Sequence, residues 1–295
     1  MALTRARFLQ GLAALALFPA LRPAGAASAK RPRPPVGALL YETDFVHGFE
    51  VTDSGREARG RPAWRSQFAY DRRTPNNGES GFYSDASVFP GAPDPFPVED
   101  GRRRLRSYRL DRPIECEGKE YGYAAALMSS AGVVDVGAGE RAECRFALPH
   151  VMRKGYWPAF WLLPADGSWP PEIDVMEWWL FNEGDKPDGF WNSLHTTKAG
   201  VRTADQRVVS LPALGLSGDM RDFHTYGVEF TGGEVVCFLD GREISRRADP
   251  LPGGRWYIIL NVAIGGDPWP GAPADDTPFP QEMVLDSLRV FRIDG

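Results

Sequence analysis

Glycine and proline interrupt this 295-residue chain so often that long helices have no room in it. The 32 glycines and 26 prolines fill about one position in five, against roughly 12% in average usage. Between them lie short runs that alternate apolar and polar residues with a period of two, the pattern of strands. The expected strands cover 39–45, 104–110, 121–128, 140–148, 159–163, 172–180, 192–197, 223–230, 234–239, 242–246, 256–264 and 283–293. Asp240-Gly241 between two of them is a two-residue hairpin turn. A dozen short strands without interleaved helices predict an all-β sandwich or jelly roll rather than a βαβ fold. A hydrophobic fraction of 43% is enough to build a core, which excludes a disordered chain.

The N-terminal residues 1–29 carry Arg5, Arg7 and Arg22 and no acid, then an apolar stretch too short to span a bilayer, then small residues. Both Ala24-Gly25-Ala26 and Ala27-Ser28-Ala29 fit an A-x-A cleavage site, so the segment reads as an export signal. The protein is expected to be secreted or periplasmic, and free of membrane once the signal is removed. Residues 30–38 form a basic, proline-rich flexible linker, and 39–295 one domain without internal repeats. A net charge of −5, more negative without the signal, gives no reason to expect nucleic acid as a partner. Cys116, Cys144 and Cys237 have no zinc-like spacing, and the last two sit in apolar runs, where cysteine behaves as a small hydrophobe.

The chemistry concentrates in Trp169 to Trp179, which reads Trp-Pro-Pro-Glu-Ile-Asp-Val-Met-Glu-Trp-Trp. Glu172, Asp174 and Glu177 are the only charges of an otherwise apolar strand. Crowding like charges costs stability and raises at least one pKa, so such a set points to function. Glu172 and Asp174 share a face, whereas Glu177 falls on the other in a regular strand. One β-bulge between Asp174 and Glu177 restores the parity. Two glutamates so placed suit glycoside hydrolysis with retention, one as nucleophile and one as acid/base, with Asp174 tuning the nucleophile.

The same residues match the E-x-D-x-x-E signature of glycoside hydrolase family 16 in its bulged form, and the chain resembles that family's laminarinase and agarase branch. Trp157 to Pro164, Phe223 to Phe230, Leu260 to Gly266 and Leu285 to Val290 are similar to flanking strands of the family. The resemblance implies a concanavalin A-like β-jelly roll sandwich with an open substrate cleft. It also implies a polysaccharide substrate, no catalytic cofactor, Glu172 as nucleophile, Asp174 as its assistant and Glu177 as acid/base. On this footing the chain is expected to be a monomeric endo-glycosidase, with β-1,3-glucan the first choice of substrate. A bacterial exopolysaccharide or galactan depolymerase, a transglycosylase and a lectin-like sugar-binding protein stay open.

Trp157, Trp161 and Trp178 flank the carboxylates in sequence and are the candidate sugar platforms, since indole offers a flat apolar face with one donor. Trp179 has the opposite parity to Trp178, so one of the two is expected in the core. His195 lies on the next strand, where the family often has a cleft histidine, and is a candidate partner of a carboxylate or a sugar hydroxyl. By the same resemblance, Asp286 is a candidate ligand of a structural calcium. His47, His150 and His224 have no partner pattern, and His224 reads as structural.

Overall fold

The computed structural model describes residues 36–294 apart from 59, 76, 150–153, 180–188, 268 and 269. The segment 1–29 expected to be an export signal, residues 30–35 of the expected linker and His150 lie outside the described residues. Strand β1 (Val36–Thr43) starts within the segment expected to be linker, and Val36 pairs with Ile293 near the other end of the chain. Four two-residue strands follow: β2 (Val51–Thr52), β3 (Trp64–Arg65), β4 (Phe82–Tyr83) and β5 (Val98–Glu99). Next come β6 (Arg102–Cys116), β7 (Lys119–Ser129), β8 (Asp135–Gly137) and β9 (Glu140–Ala147). The middle of the chain supplies β10 (Tyr156–Pro164), β11 (Glu172–Glu177), β12 (Gly189–Lys198) and β13 (Val201–Ser210). After a 3-10 turn at Pro212–Leu214 come β14 (His224–Thr231), β15 (Glu234–Leu239), β16 (Arg242–Ala248), β17 (Arg255–Ile264) and β18 (Gln281–Ile293). The hairpin between β15 and β16 turns on Asp240 and Gly241, with φ of 45° and 74°, the double left-handed geometry such a turn needs.

Hydrogen bonds join the strands into one continuous sheet that folds into two layers. One layer runs β1, β18, β9, β14, β15, β16. The other runs β7, β17, β10, β11, β12, β13. β6 connects them, pairing with β18 through Arg104–Ser107 and with β7 from Tyr108 onward. This is the all-β jelly roll the punctuation predicted.

Alternation along each strand divides the apolar residues between two places. Phe146, Tyr226 and Val228 of the first layer pack against Phe160, Leu162, Ile173, Val175 and Met176 of the second, and Cys144 and Cys237 lie in the same core. Each such side chain, fully buried, contributes about 1.5–3 kcal/mol. The outer face of the second layer carries a separate, aromatic cluster that includes Phe68, Tyr83, Trp157, Trp179 and Tyr257. That face carries the site.

Candidate active site

β11 sits inside the second layer with β10 on one side and β12 on the other. Against β12, Glu172 faces His195 and Asp174 faces Ser193, but Glu177 faces Trp191, so three steps on β11 match two on β12. The β10 ladder shows the same extra residue, with Trp161 opposite Asp174 and Phe160 opposite Met176. The bulge therefore lies where strand parity required it. Its consequence can be read in the burial: Ile173, Val175 and Met176 all enter the core, two of them consecutive. That consecutive apolar pair returns Glu177 to the face of Glu172 and Asp174.

Each carboxylate has its own partner. Trp169 Nε1 donates to Glu172 Oε2 at 2.8 Å, and Trp157 Nε1 donates to Glu177 Oε1 at 3.1 Å. His195 Nε2 lies 3.1 Å from Asp174 Oδ2 and 3.8 Å from Glu172 Oε1. Among the described residues these three acids have no ion pair with arginine or lysine. Burial, then the charge of Asp174, raises Glu172 to about 7, against the pull of His195 and Trp169. Burial and the Asp174 charge also push Glu177 well above the usual carboxylate range. Burial alone would depress the His195 imidazole, but contact with Asp174 and the charges of all three acids carry it up to about 10. The cluster thus sets the Asp174–His195 contact between two glutamates whose burial favours the protonated form.

The expected platforms separate on inspection. Trp161, partly exposed, lies in register with Asp174 and donates to Asn261 Oδ1 at 2.8 Å. Trp157 is on the same face but buried, and its donor is spent on Glu177 rather than on sugar. Trp178 is not in the cleft. It is buried in the inter-layer core against Tyr156, with ring centroids 5.8 Å apart, because the residue after Glu177 must point to the opposite face. Trp179 takes the cleft side instead and stacks on Trp191 at 5.2 Å and 3°.

Several contributors were not singled out in the sequence. Trp169, in the loop before β11, is exposed, holds Glu172, and has the Arg202 guanidinium 4.5 Å from its ring centre. Its place three residues ahead of Glu172 was the available signal. Glu79, from the loop before β4, is buried beside Asn77 and Tyr83, and burial raises it to about 7. Asn261 bridges Trp161 and the Tyr83 hydroxyl. Only the fold brings these segments together.

Calcium at Asp286 is not shown. The Asp286 Oδ2 is 3.0 Å from Arg145 Nη1 and its Oδ1 is 3.4 Å from Arg102 Nε, so the carboxylate is engaged by two guanidinium groups. His224 is structural, its ring nitrogens 2.6 Å from Asp240 Oδ2 and 2.9 Å from the Asp219 carbonyl.

A bulged strand that presents a carboxylate triad on the open face of a β-jelly roll defines a class, the sandwich-fold glycoside hydrolases. The sequence profile of Glycosyl hydrolases family 16 matches residues 141–277. An endo-1,3-1,4-beta-glycanase of Rhizobium meliloti, ExsH, is 32% identical over 222 residues, which cover 75% of this chain and 44% of that protein. A beta-glucanase of Rhodothermus marinus is 32% identical over 196 residues, 60% of this chain and 64% of that protein. The laminarinase catalytic domain of Thermotoga maritima superposes with a TM-score of 0.63 at 26% identity, covering 88% of this chain and 99% of that one. The chain belongs to glycoside hydrolase family 16. It spans less than half the length of its two Rhizobium meliloti relatives.

Proposed function

We propose that the chain is an endo-β-glucanase that hydrolyses internal bonds of a β-1,3 or mixed β-1,3-1,4 glucan with retention of configuration. The observation that carries this reading is the bulge that sets Glu172, Asp174 and Glu177 on one face with separate partners. The names of the relatives supply the substrate class.

The chemistry follows from the two proton affinities. Glu172, ionised, attacks the anomeric carbon from the face opposite the leaving group. The bond to the glycosidic oxygen breaks, and Glu177 gives that oxygen its proton. In the second half Glu177 takes a proton from water, the resulting hydroxide displaces Glu172, and the anomeric carbon regains its first configuration. Asp174, with His195 as its counter-charge, stands between the glutamates and lets one hold a proton while the other is ionised. Trp161 and Trp191, both partly exposed, offer ring faces for the flanking glucose units, with Trp179 stacked beneath Trp191. Export by the segment 1–29 would place this activity outside the cytoplasm.

A panel of laminarin, lichenan, agarose, carrageenan and a bacterial exopolysaccharide, assayed for new reducing ends, tests the reading. It expects reducing ends from laminarin or lichenan with a ladder of product sizes. Reducing ends from agarose or carrageenan alone would overturn the substrate, and binding without any reducing ends would overturn hydrolysis.

A further inference from the structure

A bulge leaves backbone groups without ladder partners, and at this bulge they are buried. The carbonyls of Asp174 and Val175 are both met by one side chain: Asn192 Nδ2 donates to them at 2.9 and 3.1 Å. Asn192 belongs to β12, is fully buried, and points to the core side of the layer. A primary amide has two N–H donors on one nitrogen, so a single residue satisfies both carbonyls. Its own oxygen accepts from Arg247 Nη1 at 2.6 Å. Arg247 comes from β16, in the opposite layer.

Arg247 has every donor engaged. Besides Asn192 Oδ1, Nη1 donates to Ser245 Oγ at 2.9 Å, and Nη2 donates to the carbonyls of Asn192 at 3.1 Å and Asp205 at 3.0 Å. Nε donates to Asp205 Oδ2 at 3.1 Å. A guanidinium only donates and a carbonyl only accepts, so the amide between them has one permitted orientation. With that orientation reversed, the amide oxygen would face two carbonyl oxygens and its nitrogen would face a cation.

We infer that Asn192 and Arg247 are positioning residues for the catalytic strand, holding its bulge and, through it, Glu177. The inference rests on the hydrolase reading for its kinetic readout but not for its structural one. The competing state of β11 is a regular ladder, which would turn Glu177 away from Trp157 toward the core. Leaving two buried carbonyls without donors is unfavourable, so the amide decides between the two states.

The test is Asn192→Asp. Aspartate keeps the Arg247 contact as an ion pair but has no N–H for the bulge carbonyls. The expected result is a folded protein whose kcat on glucan falls by about 10- to 100-fold with KM within about 3-fold, the scale of a reacting group displaced by about 1 Å. Loosening also exposes Glu177 to water and relieves the burial that raises its pKa, so the basic limb of the pH profile moves to lower pH. A folded variant with wild-type kcat and an unmoved basic limb overturns the inference. Should Asn192→Asp not fold, Arg247→Lys and Arg247→Met replace it. Lysine is expected to retain more kcat than methionine, and equal values for both variants and wild type overturn the claim. A wild-type protein without turnover on any polymer refutes the hydrolase reading instead. The crystal structure of whichever variant folds then decides: the inference expects the Trp157–Glu177 hydrogen bond broken, and its retention near the wild-type distance of 3.1 Å contradicts it.

Discussion

Two regions of this molecule bury carboxylates, and they do so in opposite ways. In the first layer Glu229 receives Arg141 Nε at 2.6 Å, and Glu282 receives Arg106 Nε at 2.8 Å and Arg104 as well. Every buried negative charge there meets a guanidinium. On the open face of the second layer, Glu172 and Asp174 share a single imidazole, and Glu177 has an indole N–H. Both arrangements are equally available to a β-sandwich, so the second is not a requirement of the fold. The arginine-paired glutamates hold strands together, whereas burial beside Asp174 favours the protonated forms of Glu172 and Glu177. The contrast separates stability from chemistry.

The sharpest way to break that contrast is to neutralise one acid from each region. Glu172→Gln should lower turnover by about 10⁴-fold or more, several kcal/mol of transition-state stabilisation, with the melting temperature unchanged or higher. Glu229→Gln should leave kcat within a few-fold but destabilise by about 3–5 kcal/mol, because it removes the buried counter-charge of Arg141. Denaturant titration and initial rates on the same two proteins read both effects, and reversed outcomes would dissolve the distinction.

A smaller effect distinguishes the two faces of the second layer. Trp178→Ala empties a core position and should cost about 3–5 kcal/mol of stability. Trp161→Ala should reduce kcat/KM on polymer by about tenfold, roughly 1.4 kcal/mol, with little change in denaturant midpoint. If Trp178 instead governs kcat/KM, the core assignment of its ring fails.

The smallest effect is in the pH dependence of stability. Glu172 rises from 4.5 in the unfolded chain to about 7 in the native protein, so between those values the native state holds the extra proton. Stability from this group is complete below about pH 4.5 and is lost as pH rises through about 7. Glu172→Gln should therefore gain about 1–3 kcal/mol at pH 8, the low end reflecting the lost attraction to His195, and nothing at pH 4. A gain that grows toward acid pH would contradict the shift.

How much of this was legible in the sequence depends on how local the determinant is. The hairpin of β15 and β16 was readable because Asp240-Gly241 permits one kind of turn. The carboxylate face was readable because parity needed a single extra residue between Asp174 and Glu177. Carrying that alternation one residue further assigns Trp178 to the core, whereas nearness in sequence to the acids favours the cleft; parity is the better guide. β13 escaped notice because it is an edge strand whose residues are mostly exposed on both faces, so no apolar period marks it. The engagement of Asp286 by Arg102 and Arg145 joins segments far apart in the chain, and no local pattern announces it.

The stereochemistry of azide rescue tests the roles of the two glutamates most directly. On the proposed roles, Glu172→Ala removes the nucleophile, so azide enters from the vacated face and the product should be a glycosyl azide of inverted configuration. On the same roles, Glu177→Ala keeps the nucleophile. With a substrate bearing an activated leaving group it should still form the glycosyl-enzyme, which azide then opens to a product of retained configuration. Proton NMR of the anomeric signals reads both products. Inverted azide from Glu172→Ala and retained azide from Glu177→Ala are the predicted pair; the opposite pair, or no rescue of either variant, contradicts the assignment.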